Sequence, residues 1–320
     1  MINWTEETIA DYKNRLIEKG VPVIFDIEHF RRLLGIKKSH FYKLFYGLKY
    51  QYKLVKIPKR KIGEYRELTV PSKNIKKIQR WILEFILYSN LCDDCVTGFI
   101  PTKSIVENAL PHLGHDYIYK FDLKDFFPSI PRSKVFYLFK NLGYTAELSN
   151  YLASFCCYND SLPQGAPTSP YIANLICKRL DNRLKILCER NGFTYTRYAD
   201  DITVSGDFKI VYFRNLFETI IEDSGFTINE LKTKLIRNGQ RKIVTGVVVN
   251  EKPTISRDYI RELKKEIYFI NKFGIENHMN RIGEICSVKD YRRKIFGKIN
   301  FVKMVDRELG LELRRKVNPF

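Results

Sequence analysis

Two acidic sites in this chain have the residue types and spacing to do chemistry. Asp200 and Asp201 stand side by side between apolar runs, and Asp122 closes the aromatic-rich segment Tyr117-Ile118-Tyr119-Lys120-Phe121. Adjacent carboxylates repel and each resists losing its water, so a pair held between apolar strands calls for something that neutralises it. A divalent cation does so economically. Magnesium takes oxygen ligands and needs only one or two carboxylates, so a third aspartate from another strand would suffice for a two-ion site. Asp122 is the candidate, and Asp125 in the same acidic tip is its rival. If Asp122 points inward along its strand, Asp125 falls past the strand end, where a carboxylate caps a turn or faces water. On its own the Asp-Asp pair fits a solvated turn better; the apolar flanks and the second acidic tip shift the balance only part of the way toward the cation. His29, His40, His112, His115 and His278 are dispersed and none sits near a suitable Ser or Cys motif, so hydrolase triads have no support. Cys92 and Cys95 form a C-x-x-C without a second pair or a suitably spaced His, which reads as an ordinary loop pair and not as a zinc site.

The elements that must position these carboxylates are legible from periodicity. Residues 116–123 read as a strand delivering Asp122 to its tip, and Thr194 to Tyr198 and Ile202 to Ser205 as a hairpin around Ala199-Asp200-Asp201. A second hairpin is expected from Tyr52 to Ile57 and Tyr65 to Val70, joined by a basic turn from Pro58 to Gly63. Apolar spacing predicts short helices over residues 1–50, an amphipathic helix from Ile75 to Ile86, and further helices over 133–142, from Ser169 through Leu180, and 208–224. Short strands are expected at 227–228 and 243–249, completing an α+β block; after Pro253 the chain turns helical and basic.

Composition agrees with a globular protein that handles a polyanion. The chain has 320 residues, 44% of them hydrophobic, and a formal charge of +19 from 55 Lys and Arg against 36 Asp and Glu. Such an excess favours phosphate contacts and counterion release, with nucleic acid the first candidate partner and an anionic membrane surface the second. Apolar stretches such as Trp81 to Tyr88 fall far short of the roughly 20 residues that span a bilayer. The N-terminus lacks the basic-then-apolar order of a signal peptide, and the seven cysteines suit reduced, buried thiols, so a cytoplasmic location is expected.

Four segments, in this order, resemble the reverse transcriptase family. Arg66-Glu67-Leu68-Thr69-Val70-Pro71 is similar to its fingers motif and Phe121-Asp122-Leu123-Lys124-Asp125-Phe126-Phe127 to its first aspartate motif. Leu162-Pro163-Gln164-Gly165 with Ser169-Pro170 is similar to its template and nucleotide motif, and Tyr198-Ala199-Asp200-Asp201 to its second aspartate motif. Ala199 stands where retroviral members carry Met or Val and bacterial members commonly carry Ala. Asn108-Ala109-Leu110-Pro111-His112 and Val244-Thr245-Gly246 resemble the N-A-x-x-H and V-T-G elements of bacterial retron reverse transcriptases. The resemblance covers roughly residues 50–250.

That resemblance implies a right-hand polymerase: N-terminal helices and fingers over 1–118, a palm of antiparallel sheet with packed helices over 119–250 (with a fingers portion around 130–165), and a small basic, RNA-binding helical thumb over 251–320. It implies RNA-directed DNA polymerase activity with two Mg2+ ions. Asp122 and Asp200 would bind both ions, with Asp201 supporting. Phe127 falls at the steric gate that excludes a 2'-hydroxyl; its plain alternative is a core Phe beside Phe126. Gln164 and Gly165 match the loop approaching the incoming sugar and the template, and Arg66 matches the arginine gripping the triphosphate. Lys59 and Lys61 either assist Arg66 or form a solvated basic turn. Lys232 resembles the lysine that protonates pyrophosphate, with Lys234 the rival by register.

Retron membership further implies a cognate structured non-coding RNA (msr-msd) primed from a guanosine 2'-hydroxyl, and a branched RNA-DNA product, msDNA. It also implies an effector or toxin protein and a role in antiphage defence, with no membrane partner. The basic residues of 251–320, among them Arg257, Arg261, Lys264, Lys265, Arg292, Arg293, Lys294, Arg314, Arg315 and Lys316, suit a folded RNA stem read by shape and phosphate. The alternatives are a group II intron or diversity-generating reverse transcriptase, and an RNA-binding scaffold with a vestigial centre. The intact Asp122, Asp200, Asp201, Gln164 and Arg66 argue against the last.

Overall fold

The structure is a computed structural model that describes residues 5–58 and 65–317; the basic turn carrying Lys59 and Lys61 lies outside the described residues. Three short helices open the chain, α1 (Glu6–Glu18), α2 (Ile27–Leu33) and α3 (Lys38–Tyr46). Thr5 and Asp26 cap the first two by accepting backbone N–H groups that no helical carbonyl can reach. The expected hairpin follows as β1 (Tyr52–Pro58) and β2 (Tyr65–Pro71), in antiparallel register from Tyr52 opposite Pro71 to Pro58 opposite Tyr65. Most of β1 is exposed, so the hairpin projects from the body. The amphipathic helix is α4 (Lys73–Trp81), which runs on as a π-helical turn over Ile82–Leu87.

The centre is a four-stranded sheet built from β3 (Tyr117–Asp122), β4 (Thr194–Tyr198), β5 (Asp201–Gly206) and β6 (Lys234–Ile236), ordered β4-β5-β3-β6 and antiparallel throughout. Helix α5 (Ile105–Ala109) precedes the sheet, α6 (Arg132–Asn141), α7 (Ala146–Cys156), α8 (Ser169–Ile176) and α9 (Lys178–Arg190) run between β3 and β4, and α10 (Arg214–Asp223) between β5 and β6. Strand alternation sorts side chains onto two faces. Tyr195, Arg197, Ile202, Val204, Tyr119 and Phe121 share one face, where Asp181 of α9 and Phe217 of α10 reach them. Asp122, Asp201, Thr203, Ser205, Thr196 and Ile118 share the other, over α5 and His112.

One apolar core runs without interruption from Tyr12 in α1 to Ile228, so the N-terminal helices and the sheet are buried together. The C-terminal helices α11 (Arg257–Phe273), α12 (Ile275–Ile282), α13 (Val288–Val305) and α14 (Arg307–Lys316) bury a separate cluster centred on Leu263, Ile267, Tyr291, Ile295 and Ile299. Between the two sits a small third cluster of Ala109, Ile118, Val244, Val247 and Val249, against which Val305 packs.

Several elements depart from expectation. The segment 243–249 is not one strand but a tight hairpin, β7 (Ile243–Val244) and β8 (Val247–Val248). Thr245 and Gly246 form its turn, both with positive φ (45° and 89°), as a two-residue connection matched to strand twist demands. The helix through 169–180 breaks at Cys177 into α8 and α9, and that of 208–224 begins as a 3-10 turn over Phe208–Phe213. Helix α7 and strand β6 are additions that the periodicity does not predict.

Candidate active site

Register places the carboxylates. Asp122 ends β3 directly opposite Asp201, which begins β5, so both side chains leave the same face of the sheet. Asp200 lies in the two-residue turn Ala199-Asp200 that joins β4 to β5, with Tyr198 opposite Asp201 across its base. The Asp200 carbonyl accepts the Leu123 N–H at 3.1 Å, which ties the turn to the end of β3. Ala199 holds φ +60°, a left-handed value that costs a non-glycine residue energy and persists only where the surroundings impose it.

The surroundings that impose it are buried. Arg197, wholly inaccessible, donates to the Ala199 carbonyl and to Asn174 Oδ1, each at 3.0 Å. The same guanidinium grips Asp181 with two bonds of 2.7 Å, and the Tyr195 hydroxyl donates to Asp181 Oδ1 at 2.7 Å. This is a charged pair with its hydrogen-bonding capacity well used, the condition under which a buried ion pair is tolerable. On the other face His112 bridges the two strands of the hairpin, Nε2 to Thr196 Oγ1 at 2.8 Å and Nδ1 to Ser205 Oγ at 2.7 Å. Burial pushes the His112 imidazole down to about 3, so it sits there neutral.

Around the carboxylates the charges are uneven. Burial, then the neighbouring Asp201 and Asp122, raises the Asp200 carboxyl above its ordinary range; burial likewise raises Asp201, against which Lys120 and Lys232 work. Asp122 is partnered: Lys232 Nζ reaches its two oxygens at 2.8 and 3.0 Å, and Asn229 Nδ2 reaches Oδ2 at 3.2 Å. The bond to Asp122 raises the Lys232 ammonium above its ordinary value. Lys234 lies in β6 opposite Lys120, away from this contact.

Oxygen-only donors of this kind fit a hard divalent cation, and the charge crowding at Asp200 and Asp201 is what such an ion relieves. Among the described residues no three metal-type side chains are gathered closely enough to enclose an ion by themselves. The donor set suits a cation that completes its shell with water and substrate phosphate, as magnesium does.

A cleft of about 1300 Å³ opens over these groups. Its walls include Asp122, Asp200 and Lys232 on the floor side, Arg66 and Thr69 of β2, Phe127, and the loop Leu162 to Pro167 with Gln164 and Gly165. The Gln164 carbonyl accepts the Thr69 N–H at 2.8 Å, linking that loop to the projecting hairpin. Gly165 has φ +126°, a backbone conformation that favours glycine, and a Cβ there would stand a tight 3.1 Å from the Thr69 carbonyl of β2. Arg66 is exposed on the cleft and Phe127 is half-buried, its ring 5.3 Å from that of Phe126. Asp125, at φ +47°, is exposed beyond the strand end, as the sequence suggested. Cys95 is buried and Cys92 partly so; both are free, with burial raising both thiols.

Sequence reasoning missed Arg197, Asp181, Asn174, Asn229, Gly98 and Phe99. A signal existed for the first three: a buried arginine in a strand needs a partner, and Asn174 and Asp181 stand seven apart in the segment whose spacing predicts one helix, although the structure splits it at Cys177. The N-A-x-x-H and V-T-G elements, singled out separately, meet in space. Thr245 Oγ1 donates to the Ile105 carbonyl at 2.7 Å, and Ala109 packs with Val244.

The antiparallel sheet gathers Asp122, Asp200 and Asp201 at one end, and Asp122 and Asp200 line the cleft beside a projecting hairpin that carries Arg66. Residues 57–266 match the family Reverse transcriptase (RNA-dependent DNA polymerase). The chain is 36% identical over 313 residues to Retron Ec86 reverse transcriptase of Escherichia coli, covering 94% of this chain and 96% of that one. It is 34% identical over 283 residues to Retron Mx65 reverse transcriptase of Myxococcus xanthus, covering 82% of this chain and 63% of that longer protein. Among solved structures it is similar to telomerase from Candida albicans bound to a telomeric RNA fragment (TM-score 0.46, 12% identity, 82% of this chain and 55% of that one). It is also similar to the foamy viral protease-reverse transcriptase bound to double-stranded DNA (TM-score 0.42, 15% identity, 79% and 36%). The chain belongs to the reverse transcriptase family, in its retron group, and is an RNA-directed DNA polymerase. No helix among the described residues is long and apolar enough to cross a membrane.

Proposed function

We propose that this enzyme copies part of its own structured non-coding RNA, the msr-msd transcript, into msDNA, starting from the 2'-hydroxyl of an internal guanosine. The observation that carries the chemical part is the pairing of Asp122 with Asp201 across adjacent strands, with Asp200 in the turn beside them and Asp122 and Asp200 both lining one cleft. The branched product and the cognate RNA rest on the likeness to retron reverse transcriptases.

Asp122 and Asp200, with Asp201 in support, would hold two magnesium ions, which when bound would supply the charge to lower the pKa of the priming hydroxyl and to stabilise the leaving pyrophosphate. The chain's own residues do the rest. Arg66 offers a planar, permanently charged fork to the triphosphate of the incoming deoxynucleotide. Phe127 fills the space a 2'-hydroxyl would need. Gln164 and Gly165 bound the sugar and template side of the cleft. Lys232, held on Asp122 before substrate arrives, exchanges that carboxylate for the pyrophosphate and gives it a proton; its contact with Asp122 favours it over Lys234. In this reading residues 1–118 supply N-terminal helices and fingers, 119–250 the palm, and 251–320 a thumb whose basic helices hold the RNA stem by its phosphates. An effector protein and an antiphage role follow from the same likeness.

The test is to purify the protein from its native host, treat the bound nucleic acid with RNase or DNase, and sequence what remains. DNA joined to RNA through a 2' branch is the expected product, and unmodified RNA without attached DNA would sink the msDNA reading. The carboxylates are tested by Asp200→Asn with Asp201→Asn. Loss of several kcal/mol of transition-state stabilisation should cut DNA synthesis by roughly a thousandfold or more while RNA binding persists. Unchanged synthesis would refute their assignment.

A further inference from the structure

The segment Cys95 to Phe99 runs along the outer edge of β4, next to the turn that carries Asp200, and several of its backbone groups are held by hydrogen bonds. Arg197 N–H donates to the Cys95 carbonyl at 2.9 Å and Thr97 N–H donates to the Arg197 carbonyl at 3.0 Å, a parallel bridge onto β4. Thr97 Oγ1 donates to Asn108 Oδ1 at 2.7 Å, and Asn174 Nδ2 donates to the Gly98 carbonyl at 2.8 Å. Gly98 lies so close to the turn that a Cβ would stand 2.5 Å from the Ala199 nitrogen. Phe99, the next residue, emerges from these anchors at φ +62°, a left-handed conformation rare for an aromatic residue.

Folding gives little reason for a phenylalanine here. The residue is 46% exposed, and glycine would take the same backbone conformation without strain. The ring instead lines the cleft, with its centroid 6.3 Å from that of Phe127 and 6.2 Å from that of Tyr198. It stands between the side chain read as the sugar gate and the tyrosine that opens the aspartate turn. A strained residue held by surroundings that over-determine it, with its side chain facing a substrate cleft, is the kind of outlier that marks function.

We infer that Phe99 is a positioning residue for nucleotide selection: its ring blocks the space between Phe127 and Tyr198, so that Phe127 cannot swing aside to admit a ribose. The inference rests on Phe127 being the gate. Because Phe99 is anchored through Gly98 to the backbone of the aspartate turn, the position of the gate is referred to the same turn that holds Asp200. Discrimination is thereby tied to the geometry of the reacting centre.

The experiment is single-nucleotide extension of a DNA primer on an RNA template by the full chain, comparing deoxy- and ribonucleoside triphosphates. The variants are Phe127→Ala, Phe99→Gly and Phe99→Leu. Phe127→Ala should raise the relative use of ribonucleotides by about a hundredfold and Phe99→Gly by about tenfold, the size expected for losing one wall of an apolar pocket. In Phe99→Gly the change should fall on KM for the ribonucleotide, with kcat for the deoxynucleotide within about threefold of the parent, a split that general damage to the fold would not produce. Phe99→Leu, which keeps bulk but not a flat ring, should fall between the parent and Phe99→Gly. Glycine relieves the strained φ, so Phe99→Gly should melt no lower than the parent. A raised ratio in Phe127→Ala with an unchanged ratio in both Phe99 variants overturns the inference and leaves the gate standing. An unchanged ratio in Phe127→Ala overturns the gate, and the inference with it.

Discussion

The sheet and the C-terminal helices each bury a histidine, and the two are treated in opposite ways. His112, under the sheet, has both ring nitrogens within 2.8 Å of a hydroxyl, one on β4 and one on β5. His278, in α12, is buried between Phe269 and Tyr291 with neither ring nitrogen bonded to any described residue. The same contrast holds for charge. Beneath the Ala199-Asp200 turn, Arg197 and Asp181 are almost wholly inaccessible and bonded on every side. In the C-terminal helices most pairs lie on the surface, such as Arg261 with Asp258 and Arg293 with Asp290, one turn apart. The sheet uses polar groups to fix geometry, and the helices carry them outward. Two regions of one chain thus dispose of their polar groups by different rules.

The largest expected effect is at the buried pair. Arg197→Met leaves Asp181 charged and desolvated and frees the Ala199 carbonyl, so urea unfolding should show a loss of about 3–5 kcal/mol. Adding Asp181→Leu should recover much of that loss, because an apolar pair of similar volume avoids the desolvation cost. DNA synthesis should stay impaired in the double variant, since the Ala199 carbonyl then lacks its guanidinium donor and the turn is held only through the Leu123 N–H and strand pairing. Full recovery of both stability and synthesis would show that the network packs the core without setting the turn.

The histidines give the next largest effect and sharpen the contrast directly. For His112 the folded pKa, about 3, lies below the unfolded value of roughly 6.5, so its contribution to stability is complete above pH 6.5 and is lost as pH falls toward 3. Burial lowers His278 as well, so its contribution falls with acid in the same direction. The substitutions should diverge. His112→Phe strands the Thr196 and Ser205 hydroxyls and should cost about 1–3 kcal/mol at pH 7. His278→Phe removes two unpaired polar atoms, keeps a ring against Phe269, and should be neutral or stabilising by about 1 kcal/mol. Melting curves at pH 7 and pH 5 for both variants separate these outcomes; equal losses would erase the distinction between the two regions.

This contrast also explains what could be read from sequence. Strand alternation and the acidic tips located Asp122, Asp200 and Asp201, because period-two patterning is local. The hairpin β1–β2 and the basic helices after Pro253 were legible for the same reason. Cleft walls such as Phe127 and Gln164 came from resemblance, not periodicity. What stayed hidden depends on long-range partners: Asn229 touches Asp122 across 107 residues, and Gly98 is required only by a turn 101 residues further along the chain. The split of 243–249 into a hairpin turned on Thr245-Gly246, a pair whose positive φ values two apolar flanks concealed.

The smallest effect on stability, and the clearest on binding, is expected at the C-terminal surface. Lys264, Lys265 and Arg315 are exposed, and none of them forms an ion pair with a described residue. Changing all three to Gln should therefore move unfolding by no more than about 0.5 kcal/mol per site. If these side chains meet RNA phosphates, each phosphate no longer neutralised should shallow the dependence of log affinity on log salt by about 0.7 to 0.9. The affinity loss should also be largest at low salt, where screening is weakest. Titration of a structured RNA at several salt concentrations measures the slope, and extension of a short primer–template measures synthesis. A reduced slope with unchanged unfolding would place phosphate attraction in the helices and geometric control in the sheet. An unchanged slope would mean that the positive surplus of this region, 17 Lys and Arg against 10 Asp and Glu over residues 251–320, acts through other side chains.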